Sequence, residues 1–87
     1  MNLSNHREQI EAVDLEILKL LNKRLSICAE IGEIKKINNI PTYNKEREDE
    51  LVNKLKNYKL IEPSYVDLIW NNIMLISRTI QDNIIYK

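Results

Sequence analysis

The sequence predicts an all-α fold: three helices per chain, long, short and long, in an intertwined homodimeric helical bundle. Apolar residues recur every three or four positions in three blocks, which is the period of an amphipathic helix. Segments containing Pro41 and Pro63 separate the blocks. The first block is longer than a compact chain of 87 residues can enclose, and this predicts the dimer.

The first predicted helix runs from about Ser4 to Ile37, with no proline and with Gly32 as its only glycine. At about 1.5 Å per residue it would be roughly 50 Å long, whereas a compact globule of this size is roughly 30 Å across. We therefore expect the helix to protrude and a second copy of the chain to cover its apolar stripe. The stripe consists of Ile10, Val13, Ile17, Leu20, Leu21, Leu25, Cys28, Ile31 and Ile34.

Two further helices follow. The segment NNIPTY ends the first helix, because the residue before proline is pushed out of the α region. A short second helix is predicted from about Lys45 to Tyr58, with Leu51 and Leu55 on its apolar edge. Pro63 begins a third helix that continues to the C-terminus. With no repeat and no long linker, residues 1–87 are predicted to form one domain.

Composition excludes several classes of function. Thirteen basic residues balance thirteen acidic ones, which argues against a general attraction to nucleic acid or to an anionic membrane. The first residues lack the apolar core of a signal peptide and no stretch could span a membrane, so we expect a cytoplasmic protein. One cysteine, one histidine and one glycine make neither a zinc site nor a phosphate-binding loop. Any catalysis is expected to need no metal and no cofactor.

Three cations on the first helix indicate an anion site. Arg24 and Lys35 are separated by about 16 Å along the axis and only about 20° around it, so both can lean toward one small anion. Arg7 is roughly 25 Å from Arg24 and about 100° away around the helix. If all three cations bind one molecule, Arg7 must come from a second chain.

The motifs resemble those of a known family. The run HREQIEAVDLEILKLLNKRLSICAEIGEIKK is similar to the first helix of the AroQ-type, all-helical chorismate mutases in its Arg, Ile, Asp, Leu-Leu, Arg, Ile-Gly and Lys positions. PTYNKERE resembles the family's loop and second-helix start, and SRTIQ resembles its third-helix Ser and Gln motif. The resemblance covers nearly the whole chain and implies a dimer that rearranges chorismate to prephenate, in the pathway to phenylalanine and tyrosine.

The resemblance also implies roles for the cationic residues. Arg24 and Arg47 would bind substrate carboxylate within one subunit, and Arg7 would reach the same substrate from the other. Lys35 would bind a carboxylate and the ether oxygen. A carboxylate-binding site of this kind suits guanidinium groups, which bind carboxylates through two parallel hydrogen bonds.

The remaining implied site residues are uncharged or acidic. Gln81 would donate to the ether oxygen, Glu48 would meet the ring hydroxyl, and Ser77 would line the pocket. Asn44 stands where the family usually has an acidic residue, and we expect a modest effect on binding. Arg78, beside the third motif, is expected on the solvent side.

Several simpler interpretations compete with these roles. The cations could be solvated surface charges, and Ser77 and Gln81 could be polar residues at the edge of a buried stripe. Cys28 is expected in the core, His6 on the surface, and Gly32 at a close helix contact. Two alternative functions stay open: an isochorismate-pyruvate lyase of the same fold, and a non-catalytic helical dimerisation or regulatory module.

Overall fold

The computed structural model describes residues 2–86, which form three α-helices and, within that range, no strand. Helix α1 spans Leu3–Asn38, α2 spans Lys45–Asn57 and α3 spans Pro63–Ile85. The all-α prediction and the order of long, short and long helices are therefore confirmed. The predicted starts of α2 and α3 coincide with the observed ones, the other boundaries differ by one or two residues, and the last predicted residue of the third helix, Lys87, lies outside the described residues.

Helix α1 ends for a different reason from the predicted one. Asn39 adopts a left-handed conformation (φ 54°, ψ 42°), and its backbone N–H donates to the carbonyls of Lys35 and Lys36. The N–H of Ile40 also donates to the Lys35 carbonyl, at 2.8 Å. This left-handed C-terminal cap stops the helix before the restriction imposed by Pro41 can act.

The C-terminal half of α1 packs against α3, and Gly32 lies at a close contact between the two helices. A Cβ atom on Gly32 would lie 3.2 Å from the Gln81 Cα and 3.2 Å from the Ile84 Cδ1, which is tighter than ordinary van der Waals contact. The predicted role of Gly32 in close helix packing is confirmed, and Cys28 is buried as predicted. This contact brings the Gln81 side chain against α1.

Helix α2 packs against α3, and within residues 2–86 it makes no packing contact with α1. Its apolar edge, with Leu51 and Leu55, is half-buried. An ion pair between Lys56 and Asp67, 2.7 Å long, joins the C-terminal part of α2 to α3. The placement of α2 therefore depends on few interactions.

The molecule is elongated, with dimensions of 57 × 27 × 15 Å and a radius of gyration of 16.2 Å. A compact chain of this length would have a radius of gyration of about 12 Å. The N-terminal half of α1 extends beyond the packed helices and leaves Ile10 60% exposed and Leu20 66% exposed. The predicted protrusion is confirmed. No described helix is both long enough and apolar enough to traverse a bilayer.

Candidate active site

A cavity of about 330 Å³ lies where the C-terminal half of α1, the start of α2 and the middle of α3 meet. Seven of the eight predicted site residues line it: Arg24, Lys35, Asn44, Arg47, Glu48, Ser77 and Gln81. These residues come from all three helices and are up to 57 positions apart in the sequence, from Arg24 to Gln81. Within residues 2–86, no three His, Cys, Asp or Glu side chains cluster so that they could hold a metal ion.

Arg24 is held in place by α3. Its Nη1 donates to the Oγ of Ser77, and that Oγ in turn donates to the Ile73 carbonyl at 2.8 Å. Because the Ser77 proton is directed to the backbone, the oxygen presents a lone pair to the guanidinium. Arg24 Nη1 also lies 3.6 Å from the Cys28 Sγ. Ser77 therefore orients Arg24 in addition to lining the cavity.

Lys35 connects α1 to the segment before α2. Its Nζ donates to the backbone carbonyl of Thr42 at 2.9 Å, and the Lys35 side chain is half-buried at the cavity. Two buried oxygens at the cavity, Thr42 Oγ1 and Gln81 Oε1, have no hydrogen-bond partner among the described residues. A buried polar group without a partner costs about 1–3 kcal/mol, so a ligand that bonded either group would recover part of that cost.

The start of α2 presents Arg47 and Glu48 to the cavity. Asn44 is the N-cap of this helix, and its Oδ1 accepts a hydrogen bond from the Arg47 backbone N–H at 3.0 Å. The Arg47 guanidinium is largely exposed and lies 3.7 Å from a carboxylate oxygen of Glu50. In the same turn, a hydrogen bond from Lys45 to Asp49, together with the charge of that carboxylate, raises the pKa of the exposed Lys45 amine.

The prediction for Arg78 is wrong. Its guanidinium lines the cavity, forms an ion pair with Glu48 and lies over the ring of Tyr43. The residue is directed inward because it stands three positions before Gln81, on an adjoining part of the buried face of α3.

Arg7 is the one predicted site residue outside the cavity. It is exposed on the protruding half of α1, 17 positions before Arg24, which is about 25 Å along the helix. His6 beside it is exposed, as predicted. Within a single chain, Arg7 therefore cannot contact a ligand bound between Arg24 and Lys35.

The sequence model of the chorismate mutase type II family matches residues 6–82, which is most of the chain. The chain belongs to the type II chorismate mutase family. A comparison with solved structures found no match.

Curated relatives of this member of the type II chorismate mutase family are much longer proteins. A bifunctional chorismate mutase/prephenate dehydratase from Aquifex aeolicus (strain VF5) is 43% identical over 53 residues, which cover 61% of this chain and 15% of that protein. A T-protein from Enterobacter agglomerans is 50% identical over 42 residues, which cover 48% of this chain and 11% of that protein. A 3-dehydroquinate dehydratase from Pyrobaculum aerophilum is 34% identical over 55 residues, which cover 63% of this chain and 18% of that protein. The matched segments thus cover less than a fifth of the length of each of these relatives.

Two polar residues of the cavity, Thr42 and Arg78, were not predicted from the sequence of this type II chorismate mutase family member. A signal for Arg78 was present, because residues three positions apart are neighbours on a helix and Gln81 was already assigned to the buried face. Thr42 gave no such signal, because it lies outside the helices, where no periodicity relates a side chain to a face.

Proposed function

We propose that this chain catalyses the rearrangement of chorismate to prephenate. One observation carries the proposal: three cations, Arg24, Lys35 and Arg47, share a cavity with the buried amide of Gln81. Membership of the type II chorismate mutase family supports the same reaction. Two of the relatives are a bifunctional chorismate mutase/prephenate dehydratase and a T-protein. Their similarity to this chain is limited to a small part of each protein.

The substrate carries two carboxylates, which suit a small cavity with several cations. Arg24 and Arg47 would bind carboxylate, because a guanidinium can donate two parallel hydrogen bonds and thereby fix the orientation of the group. The hydrogen bond that Arg24 donates to Ser77 supports this role for Arg24, since it restrains the guanidinium before substrate arrives. The exposed Arg47 side chain is less restrained and would close on the substrate when it binds.

The reaction breaks the ether C–O bond and forms a C–C bond in one intramolecular step, without a nucleophile. The protein needs to hold the enolpyruvyl arm over the ring and to stabilise negative charge that develops on the ether oxygen. Lys35 and Gln81 are the groups proposed to donate to that oxygen. Gln81 would donate to the ether oxygen through its Nε2 hydrogens. Its Oε1 is buried without a partner among the described residues, and as an acceptor it could bond only a donor group of a ligand or a water molecule.

Glu48 is proposed to accept a hydrogen bond from the ring hydroxyl of the substrate. Asn44, whose side-chain oxygen caps α2, is proposed to act on binding mainly by fixing the first turn that carries Arg47 and Glu48. We therefore expect only a modest effect on binding from Asn44 where the family usually has an acidic residue, because aspartate and asparagine are comparable N-caps.

We further propose a homodimer in which Arg7 of each chain completes the site of the other. The exposed apolar residues on the N-terminal half of α1 support this assembly, because a matching stripe on a second copy would remove them from water. A single domain over residues 1–87 and a location in the cytoplasm stay predictions from the sequence.

The test is an assay of the purified chain with chorismate and, separately, with isochorismate, with products separated by chromatography. Prephenate formed from chorismate far above the uncatalysed rate is the expected result. Arg24→Ala should lower kcat/KM by about 100-fold or more while the chain stays folded, because the variant loses a fixed cation that would bind a substrate carboxylate. Lys23→Ala, at the neighbouring exposed position, is the matched control and should leave kcat/KM unchanged.

Three results would contradict the proposal. Salicylate and pyruvate from isochorismate as the dominant products would assign the chain as a lyase. Inactivity on both substrates from a folded protein would favour a non-catalytic module. Equal kcat/KM in Arg24→Ala and the parent would show that Arg24 does not bind the substrate.

A further inference from the structure

Arg78 bridges α3 and the start of α2 inside the cavity. Its Nη1 forms an ion pair with the Oε1 of Glu48, and its Cζ lies 4.9 Å from the centroid of the Tyr43 ring, within the range of a cation–π interaction. The side chains of Arg78 and Glu48 are 29% and 21% exposed, so the pair is largely shielded from water. Arg78 therefore contacts both the loop before α2 and the first turn of α2.

Ion pairs join α2 to α3 near both ends of α2. The pair between Lys56 and Asp67 lies near the C-terminal end, and neither residue lines the cavity. The pair between Arg78 and Glu48 lies at the N-terminal end, where Arg47 and Glu48 reach the cavity. Because α2 has no fully buried residue and no packing contact with α1, the position of its first turn depends strongly on the second pair.

Arg78 also changes the electrostatics of the cavity, because it compensates the charge of Glu48. A carboxylate in the cavity would repel a substrate that carries two carboxylates, and this repulsion is strong where water is largely excluded. The guanidinium of Arg78 compensates the Glu48 charge, so the charges of Arg24, Lys35 and Arg47 remain available to the substrate. Removal of one partner from a shielded pair leaves an uncompensated charge, which is costly.

We propose that Arg78 is a positioning residue for the reaction: it holds Glu48 and the first turn of α2 against the cavity and neutralises the Glu48 carboxylate. This inference rests on the proposed function for its kinetic consequences. It goes beyond that function because it assigns the organisation of the α2 side of the site to a residue on α3.

The first experiment is a double-mutant cycle between Arg78→Met and Glu48→Gln, with steady-state kinetics on chorismate. Arg78→Met keeps an unbranched apolar side chain in place of the arginine stem and removes the guanidinium and its charge, and it should lower kcat/KM by about tenfold or more, mainly through KM. In the Glu48→Gln background, where no charge needs compensation, the same change should cost less than about threefold. Arg78→Lys should recover part of the loss, because it restores the charge without the planar group.

The matched control is Lys56→Met, which breaks the other α2–α3 ion pair outside the cavity. It should leave kcat/KM within about twofold of the parent even if it lowers the melting temperature. A loss of kcat/KM in Lys56→Met equal to that in Arg78→Met would overturn the inference. So would an undiminished effect of Arg78→Met in the Glu48→Gln background, because Arg78 would then act on the substrate directly.

A second measurement does not depend on catalysis. Backbone hydrogen exchange in residues 47–51, the first hydrogen-bonded amides of α2, should accelerate about tenfold in Arg78→Met, whereas Lys56→Met should accelerate exchange near the C-terminal end of α2. If the parent does not rearrange chorismate, the proposed function fails, and this exchange pattern still decides whether Arg78 fixes the first turn. Unchanged exchange in residues 47–51 of a folded Arg78→Met variant would overturn the positioning role.

Discussion

At the residue scale, Ser77 shows how one hydroxyl can prepare a cation for its ligand. The Ser77 Oγ donates to the Ile73 carbonyl at 2.8 Å and accepts from Arg24. The hydroxyl proton is therefore committed to the backbone, and the oxygen acts on the guanidinium as an acceptor. Arg24 would bind carboxylate with less loss of side-chain entropy than a mobile arginine, because its rotamer is already restrained.

Ser77→Ala should lower kcat/KM by about tenfold, less than the loss expected for Arg24→Ala, because the cation stays but loses its orienting acceptor. Steady-state kinetics on chorismate would measure the effect. Thr79→Ala is the matched control, since Thr79 makes the same kind of bond, to the Leu75 carbonyl at 2.9 Å, on the exposed face of α3. Losses of equal size in the two variants would show that the backbone bond, and not the contact with Arg24, accounts for the change.

At the scale of the element, α2 depends on its N-cap. The helix has 13 residues, none of them fully buried, so packing contributes less to its stability than it does for α1 and α3. The Asn44 side chain satisfies the Arg47 N–H, and Glu46 and Glu48 in the first turn interact favourably with the positive end of the helix dipole. These local interactions fix the turn that carries two of the proposed substrate-binding residues.

Asn44→Ala should lower the free energy of unfolding by about 1 kcal/mol and raise KM, because the first turn of α2 loses its cap. Chemical denaturation and steady-state kinetics would measure the two effects. Asn44→Asp should preserve the free energy of unfolding, since aspartate caps a helix as well as asparagine does, and should change KM only modestly. Asn53→Ala, at an exposed position inside α2, controls for a general effect on the helix. A rise in KM in Asn44→Asp as large as that in Asn44→Ala would indicate that the amide itself contacts the substrate.

At the scale of the whole molecule, α1 serves two separate regions. Its C-terminal half packs on α3 and contributes Arg24 and Lys35 to the cavity. Its N-terminal half carries Arg7 and extends from the packed helices with its apolar residues exposed. A single chain leaves both the apolar stripe and Arg7 without a function, whereas an intertwined dimer would use both.

Mixtures of two inactive variants would test the shared site. If Arg7 acts across the interface, Arg7→Ala and Arg24→Ala chains should regain about one quarter of the parental activity after exchange, because one of the two sites in each heterodimer would have both arginines. Arg24→Ala mixed with Lys35→Ala is the matched control and should regain none, since both residues belong to the same chain's cavity. An absence of recovery with Arg7→Ala, despite demonstrated chain exchange, would contradict the shared site.

The sequence by itself determined the three helices and the approximate length of α1, because the spacing of apolar residues is a local property of the chain. The mechanism that ends α1, the left-handed cap at Asn39, was seen only in the structure. Together with the family motifs, the sequence also indicated the seven residues that the structure places around one cavity. Helical periodicity related Arg24 to Lys35, and Ser77 to Gln81, because each of these pairs lies on a single helix. The sequence did not predict which side chains contact one another between different helices.

Only the tertiary structure decided how α3 meets α1 and the start of α2. The bond from Arg24 to Ser77 and the ion pair of Arg78 with Glu48 join residues that are 53 and 30 positions apart. Such contacts depend on the rotation and crossing of packed helices, which periodicity on one helix does not specify. The sequence therefore indicated which residues could bind an anion, and helix packing determined which side chains hold them in position.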